Sequence, residues 1–198
     1  TGRGSTRPLG LRARVRRDLH GHAWTLGGFA LGVVRPPAAP RAEPWSTTVD
    51  DPTRGTFELS GRLAGRGTED TVVVLVHGLG GDFESVYLRR AARAADAVGM
   101  ASLRLALRGA DGSPELARFE HVALVGYSLG GHVVLTTARD AALDARVRAV
   151  AAICPPLDLE ATVDAIRRLD RRHYEAHVLR SLVRQHDAVA VRAAREGR

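Results

Sequence analysis

His121-Val122-Ala123-Leu124-Val125-Gly126-Tyr127-Ser128-Leu129-Gly130-Gly131 is the stretch that decides the fold. Its first five residues read as a buried strand, and a helix is expected from about Gly131 to Ala142. Between them lies Gly-x-Ser-x-Gly. A strand that turns sharply into a helix forces the central residue into a strained backbone conformation. Glycines are needed at 126 and 130, because side chains there would collide with the neighbouring strand and helix. The serine hydroxyl is thereby lifted above the sheet edge, at a helix N-terminus. Free N–H groups and the helix dipole favour negative charge there.

Working outward, Val72-Val73-Val74-Leu75-Val76 is an unbroken β-branched run and predicts a strand buried on both faces. It ends in the Gly-rich loop His77-Gly78-Leu79-Gly80-Gly81. Ser85 to Val98 predicts a helix with Val86, Leu88, Ala91, Ala92, Ala95 and Val98 on its apolar side, stopped by Gly99. Met100 to Leu105 predicts the next strand, and Val147 to Ile153 another, which Pro155-Pro156 ends. Residues 158 to 195 look helical. Upstream, Thr56 to Leu63 alternates apolar and polar residues as a half-exposed strand does, and Val49-Asp50-Asp51-Pro52 before it is a turn signal. Strands alternating with helices make an α/β fold, a mostly parallel sheet with helices on both faces.

In this setting Ser128 is the candidate nucleophile for acyl transfer. Two backbone N–H groups aimed at the carbonyl oxygen would stabilise its developing charge. They are assigned to Leu129, directly after the nucleophile, and to Leu79, in the loop after an upstream strand. That loop lacks the Gly-Lys-Ser/Thr ending of a phosphate-binding P-loop and the Gly-x-Gly-x-x-Gly spacing of a dinucleotide site. His77 is expected to hold the loop by hydrogen bonds rather than to act as a base. His132 projects along its helix, away from Ser128. His173, His177 and His186 lie in the helical C-terminal region, where each is an open candidate for the base. Asp158 is either an acid or, more simply, the N-cap of the next helix.

These segments resemble the α/β-hydrolase superfamily, and within it the YheT-like hydrolases. The resemblance rests on His77 to Gly81 with Tyr87-Leu88-Arg89-Arg90 and Leu105-Ala106-Leu107-Arg108-Gly109, and on Val125 to His132. It rests also on Ala152 to Leu159, followed by Arg171-Arg172-His173-Tyr174 and Leu179-Arg180-Ser181-Leu182. It covers residues 20 to about 185. It implies a serine hydrolase acting on carboxylic esters without metal or cofactor, and early cap helices after residue 157. The family places its acid and histidine on loops after later strands, beyond the cap helices. This chain reaches Arg198 within that helical region, so neither residue can be carried over. Between Leu105 and His121 lie only 15 residues, short for a parallel crossover with its helix. The expectation is therefore an incomplete core. Its parts are an N-terminal arm over 1–45, partial hydrolase core over 46–157 and a cap-like helical segment over 158–198.

Composition narrows the alternatives. Of 198 residues, 44% are hydrophobic and 26% charged, which suits a globular domain with a real core. All 29 basic residues are Arg and the net charge is +7, but they are scattered among Ala, Asp and Glu, and aromatics make up only 5%. That pattern argues against a nucleic-acid surface. The single cysteine, Cys154, excludes an internal disulfide and is expected to be a small buried core residue. The longest apolar run, Ala23 to Val34, has twelve residues with three glycines, too short to span a membrane. It follows Arg16-Arg17 and only loosely mimics an export signal, so a cytoplasmic enzyme acting on a small-molecule or lipid-like ester is expected. The rival readings are a ligand-binding protein of the same fold without a complete triad and a basic adaptor for anionic membranes. Oligomeric state is left open.

Overall fold

Val72, Val74 and Val76 project to one side of a sheet, and Val73 and Leu75 to the other. This is the two-sided burial that the β-branched run predicts. The computed structural model describes residues 37–51, 55–106, 118–167, 175, 176, 178–180, 182, 183 and 187. The chain divides after Pro37, and every element named below lies in the second unit. In chain order its elements are β1 (Glu43–Asp51), β2 (Gly55–Ala64), β3 (Thr71–Val76), α1 (Val86–Ala97) and β4 (Ala101–Leu105). There follow β5 (His121–Tyr127), α2 (Leu129–Thr137), β6 (Val147–Ile153) and α3 (Leu159–Arg167).

Among the described residues, six strands form one sheet in the order β1-β2-β4-β3-β5-β6. β3 pairs in parallel with β4 and β5, and β5 with β6. β1 and β2 form an antiparallel pair, and β2 joins β4 antiparallel. The two faces are covered by different helices. Leu88 and Ala92 of α1 pack on Leu75, while Val134 of α2 packs with Val72, Val74, Val122 and Leu124 on the opposite face. Phe119, Leu59, Leu75, Leu88 and Leu103 are the largest fully buried apolar side chains. Each contributes about 1.5–3 kcal/mol by leaving water.

β4 is buried along its whole length, including Ser102 and Arg104. Arg104 is only 3% exposed. Its guanidinium donates to the Phe83 carbonyl at 3.0 Å and to Glu84 at 3.1 Å, which ties the segment before α1 down onto the sheet. A buried charge is tolerable only when partnered in this way.

Several expectations change. Glu43 already begins β1, inside the stretch read as an arm. Trp45 and Val49 point into the core two positions either side of Thr47. Val49, Asp50 and Asp51 belong to that strand, so the hairpin connection falls at 52–54, outside the described residues. Val98 does not face the core but is 68% exposed, because α1 ends at Ala97 and Gly99 turns the chain with φ +76°. α2 starts two residues earlier than expected and stops at Thr137. Cys154 is exposed rather than buried, since β6 ends at Ile153 and the chain leaves the sheet there. The short interval before β5 falls mostly at 107–117, outside the described residues, as do His173, His177 and His186.

Candidate functional site

Three loops leave the carboxyl ends of neighbouring parallel strands β3, β5 and β6, the edge where open α/β sheets place their chemistry. At the end of β5, Ser128 has φ 52° and ψ −121°. A non-glycine residue there is strained, and such strain persists only where the surroundings over-determine it. The surroundings here are steric. A Cβ on Gly126 would collide with the Gly130 carbonyl and lie 2.6 Å from the Gly131 nitrogen. A Cβ on Gly130 would lie 2.5 Å from the carbonyl oxygens of Val76 and His77. Both glycines are therefore needed to bring α2 onto the ends of β3 and β5. The Ser128 N–H donates to the Ile153 carbonyl at 2.9 Å, which fixes the turn to β6 as well.

The loop after β3 approaches the same point. Gly81 N–H donates to the Gly78 carbonyl at 3.0 Å and Gly80 has φ +75°, so residues 78–81 form a tight turn. A Cβ on Gly78 would come within 2.9 Å of Ser128 Cβ and 3.5 Å of its Oγ. The loop backbone thus lies against the serine itself.

No protein-family model and no curated sequence matches this chain. Solved structures do. The esterase Pf2001 of Pyrococcus furiosus matches with a TM-score of 0.50 at 16% identity, over 68% of this chain and 59% of that one. The dienelactone hydrolase of Anabaena variabilis matches with a TM-score of 0.45 at 18% identity, over 61% and 67% of the two chains. The mouse α/β-hydrolase domain-containing protein 10 matches with a TM-score of 0.41 at 16% identity, over 67% and 58%. This chain has the α/β-hydrolase fold. The likeness at such identities concerns the fold alone, and the match spans about three fifths of the Pyrococcus esterase.

Ser128 stands at the elbow between β5 and α2, directly before the first residue of the helix. Leu129 is the first residue of α2, and the helix's own ladder begins with His132 N–H donating to Ser128 O at 3.2 Å. The Leu129 N–H therefore lies outside that ladder. Leu79 occupies the second position of the 78–81 turn, whose closing bond uses the N–H of Gly81. Both amides follow directly on residues in mutual contact, Gly78 and Ser128.

His77 is buried, and its Nδ1 bonds to the Gly78 carbonyl at 2.8 Å. A carbonyl only accepts, so that nitrogen carries the proton. The ring holds the loop, in line with the sequence reading. His132 likewise turns its Nδ1 to the Pro156 carbonyl at 2.8 Å, tying α2 to the loop after β6. Asp158 accepts from the Ala161 N–H at 2.9 Å through its side chain, so it caps α3.

Tyr87 was missed as a site residue. It lies in the first turn of α1, and its hydroxyl meets the Gly78 N–H at 3.0 Å. Its ring packs on Tyr127, with centroids 4.9 Å apart and planes at 44°. Burial, and then the Tyr87 phenol, push the Tyr127 phenol above its ordinary pKa. The helical periodicity puts Val86 and Leu88 on the apolar side and leaves Tyr87 off it, so it gives no signal for this contact. Among the described residues, no cluster of three or more His, Cys, Asp or Glu side chains suits a metal ion, and no helix is long and apolar enough to cross a membrane.

Proposed function

We propose that this chain carries the nucleophile and oxyanion-binding part of a serine hydrolase acting on carboxylic esters, of the YheT-like kind. The observation that carries this reading is the backbone of Ser128, held at φ 52° between two glycines whose hydrogens are in contact range of backbone. Maintaining such a conformation costs stability, and presenting a hydroxyl above the sheet edge is the use that explains it. Ser128 Oγ attacks the acyl carbon and a histidine accepts its proton. The carbonyl oxygen takes negative charge between the amides of Leu79 and Leu129. Collapse expels the alcohol, which takes the proton back, and water then releases the acid from the acyl-enzyme. His173, His177 and His186 remain the candidates for the base. The 158–198 segment acts as a cap over the acyl group, on a core that begins with β1 at Glu43. The proposed setting is the cytoplasm, without metal or cofactor.

Release of p-nitrophenol from short-chain esters tests the reading. Wild-type protein should turn over and Ser128→Ala should not. Equal rates in the two would remove Ser128 from the chemistry.

A second reading, a ligand-binding protein on the same fold, draws on the engagement of both His77 and His132 by backbone carbonyls. It expects saturable ester or acid binding with no turnover in wild type.

A further inference from the structure

We infer that Tyr87 is a positioning residue for the oxyanion site, setting the direction of the Leu79 amide through the backbone of Gly78. The inference rests on the hydrolase reading above and deepens it.

The backbone of Gly78 is held by both of its polar groups. Its N–H donates to the Tyr87 hydroxyl at 3.0 Å. Its carbonyl accepts from the Gly81 N–H at 3.0 Å and from His77 Nδ1 at 2.8 Å. In a planar trans peptide the C=O and the following N–H point in opposite directions. Anchoring the Gly78 carbonyl on one side therefore aims the Leu79 N–H to the other. Tyr87 supplies the remaining restraint, because rotation of the 77–78 peptide would break its bond to Gly78. The hydroxyl also lies close to the last residue of the turn, where a Cβ on Gly81 would come within 2.7 Å of it and 2.9 Å of Ser85 Oγ.

The same ring also packs beside the elbow. Tyr87 packs on Tyr127, the residue before Ser128, while Gly78 rests against Ser128 itself. One side chain thus touches both halves of the site, the elbow through its ring and the loop through its oxygen. Catalysis by preorganised donors depends on holding such geometry to a fraction of an ångström.

Tyr87→Phe keeps the ring and removes the acceptor. Active sites are counted with a fluorophosphonate, and rates are expressed per reactive serine. A positioning role predicts a kcat lower by roughly ten- to a hundredfold with KM within about twofold. Affinity for a trifluoromethyl ketone, whose hemiketal places an oxyanion in the site, should fall by the same factor as kcat/KM. A purely structural role would lower Tm and leave kcat per reactive serine and ketone affinity unchanged, and that result overturns the inference. If Tyr87→Phe does not fold, Gly81→Ala asks the same question, because its Cβ must displace the phenol. Full kcat in Gly81→Ala would then overturn it. Wild type that neither labels at Ser128 nor hydrolyses ester removes the hydrolase reading and this inference together. Labelled, active wild type with an unaffected variant removes the inference alone.

Discussion

At the corner where β5 turns into α2, a methyl group on Gly126 would strike the carbonyl of Gly130, and one on Gly130 would strike Val76 and His77. Along the flank made by β6 and α3, Arg148, Ala149, Ala151 and Ile153 are exposed, and α3 buries none of its residues. Both regions belong to one sheet and join through Ser128 N–H and the Ile153 carbonyl. The corner is defined by exclusion, since a side chain at either glycine would meet backbone. The flank is held by strand pairing and few side-chain contacts. The candidate site stands on the first kind of structure, which is what a fixed oxyanion geometry requires.

The widest separation between the two regions should come from glycine substitution. Gly126→Ala is expected to cost more than about 4 kcal/mol in urea unfolding, because the obstacle is backbone and cannot move aside. Gly131→Ala, whose nearest contacts are 3.1 Å, should cost less than half of that. Near-equal midpoints for Gly126→Ala and wild type would show that the elbow relaxes freely. Next in size, Leu75→Ala in the buried centre should lose about 2–5 kcal/mol. Val163→Ala on α3, where the side chain is 45% exposed, should stay within about 0.5 kcal/mol. A loss at Val163 comparable to that at Leu75 would mean that the flank is covered in solution.

A smaller effect with opposite sign is expected at Ser128. Ser128→Gly relieves the positive φ and should stabilise by about 1 kcal/mol, while abolishing any ester turnover. Destabilisation by this change would contradict the strain at the elbow. Smallest of all is a surface pair away from the site. Asp144 is lowered to about 2 by the Arg146 side chain and backbone N–H groups. A lowered carboxyl contributes stability above its ordinary pKa and loses it as pH falls toward about 2. Asp144→Asn should therefore narrow the difference in Tm between pH 5 and pH 2. The change should be worth less than about 1 kcal/mol because the pair is largely solvated.

Much of the corner was legible in the sequence because its constraints are local. A β-branched run, a strand, two glycines around a serine and a helix start all lie within a few residues of one another. The flank was less legible because apolar pattern reports capacity for burial and does not say what covers a residue. Cys154 sits at the end of an apolar run, yet the strand ends one residue earlier and leaves it exposed. β1 escaped notice for a different reason. Trp45, Thr47 and Val49 alternate as a strand should, but Pro44 and the Asp50-Asp51-Pro52 run flank them with turn residues. Pro44 is tolerated because β1 stands at the edge of the sheet formed by the described residues. Tyr87 could not be found from sequence, since its inferred role depends on a contact with Gly78 across the turn between β3 and α1.

On the proposed function, the backbone at 126–130 presents Ser128 as a reactive nucleophile. Treating the folded protein with a fluorophosphonate forms an Oγ–P bond and releases fluoride. Peptide mass mapping should find one adduct, on Ser128, absent in Ser128→Ala and absent after unfolding. A folded protein that stays unlabelled, or that labels on another residue, would contradict that function for Ser128.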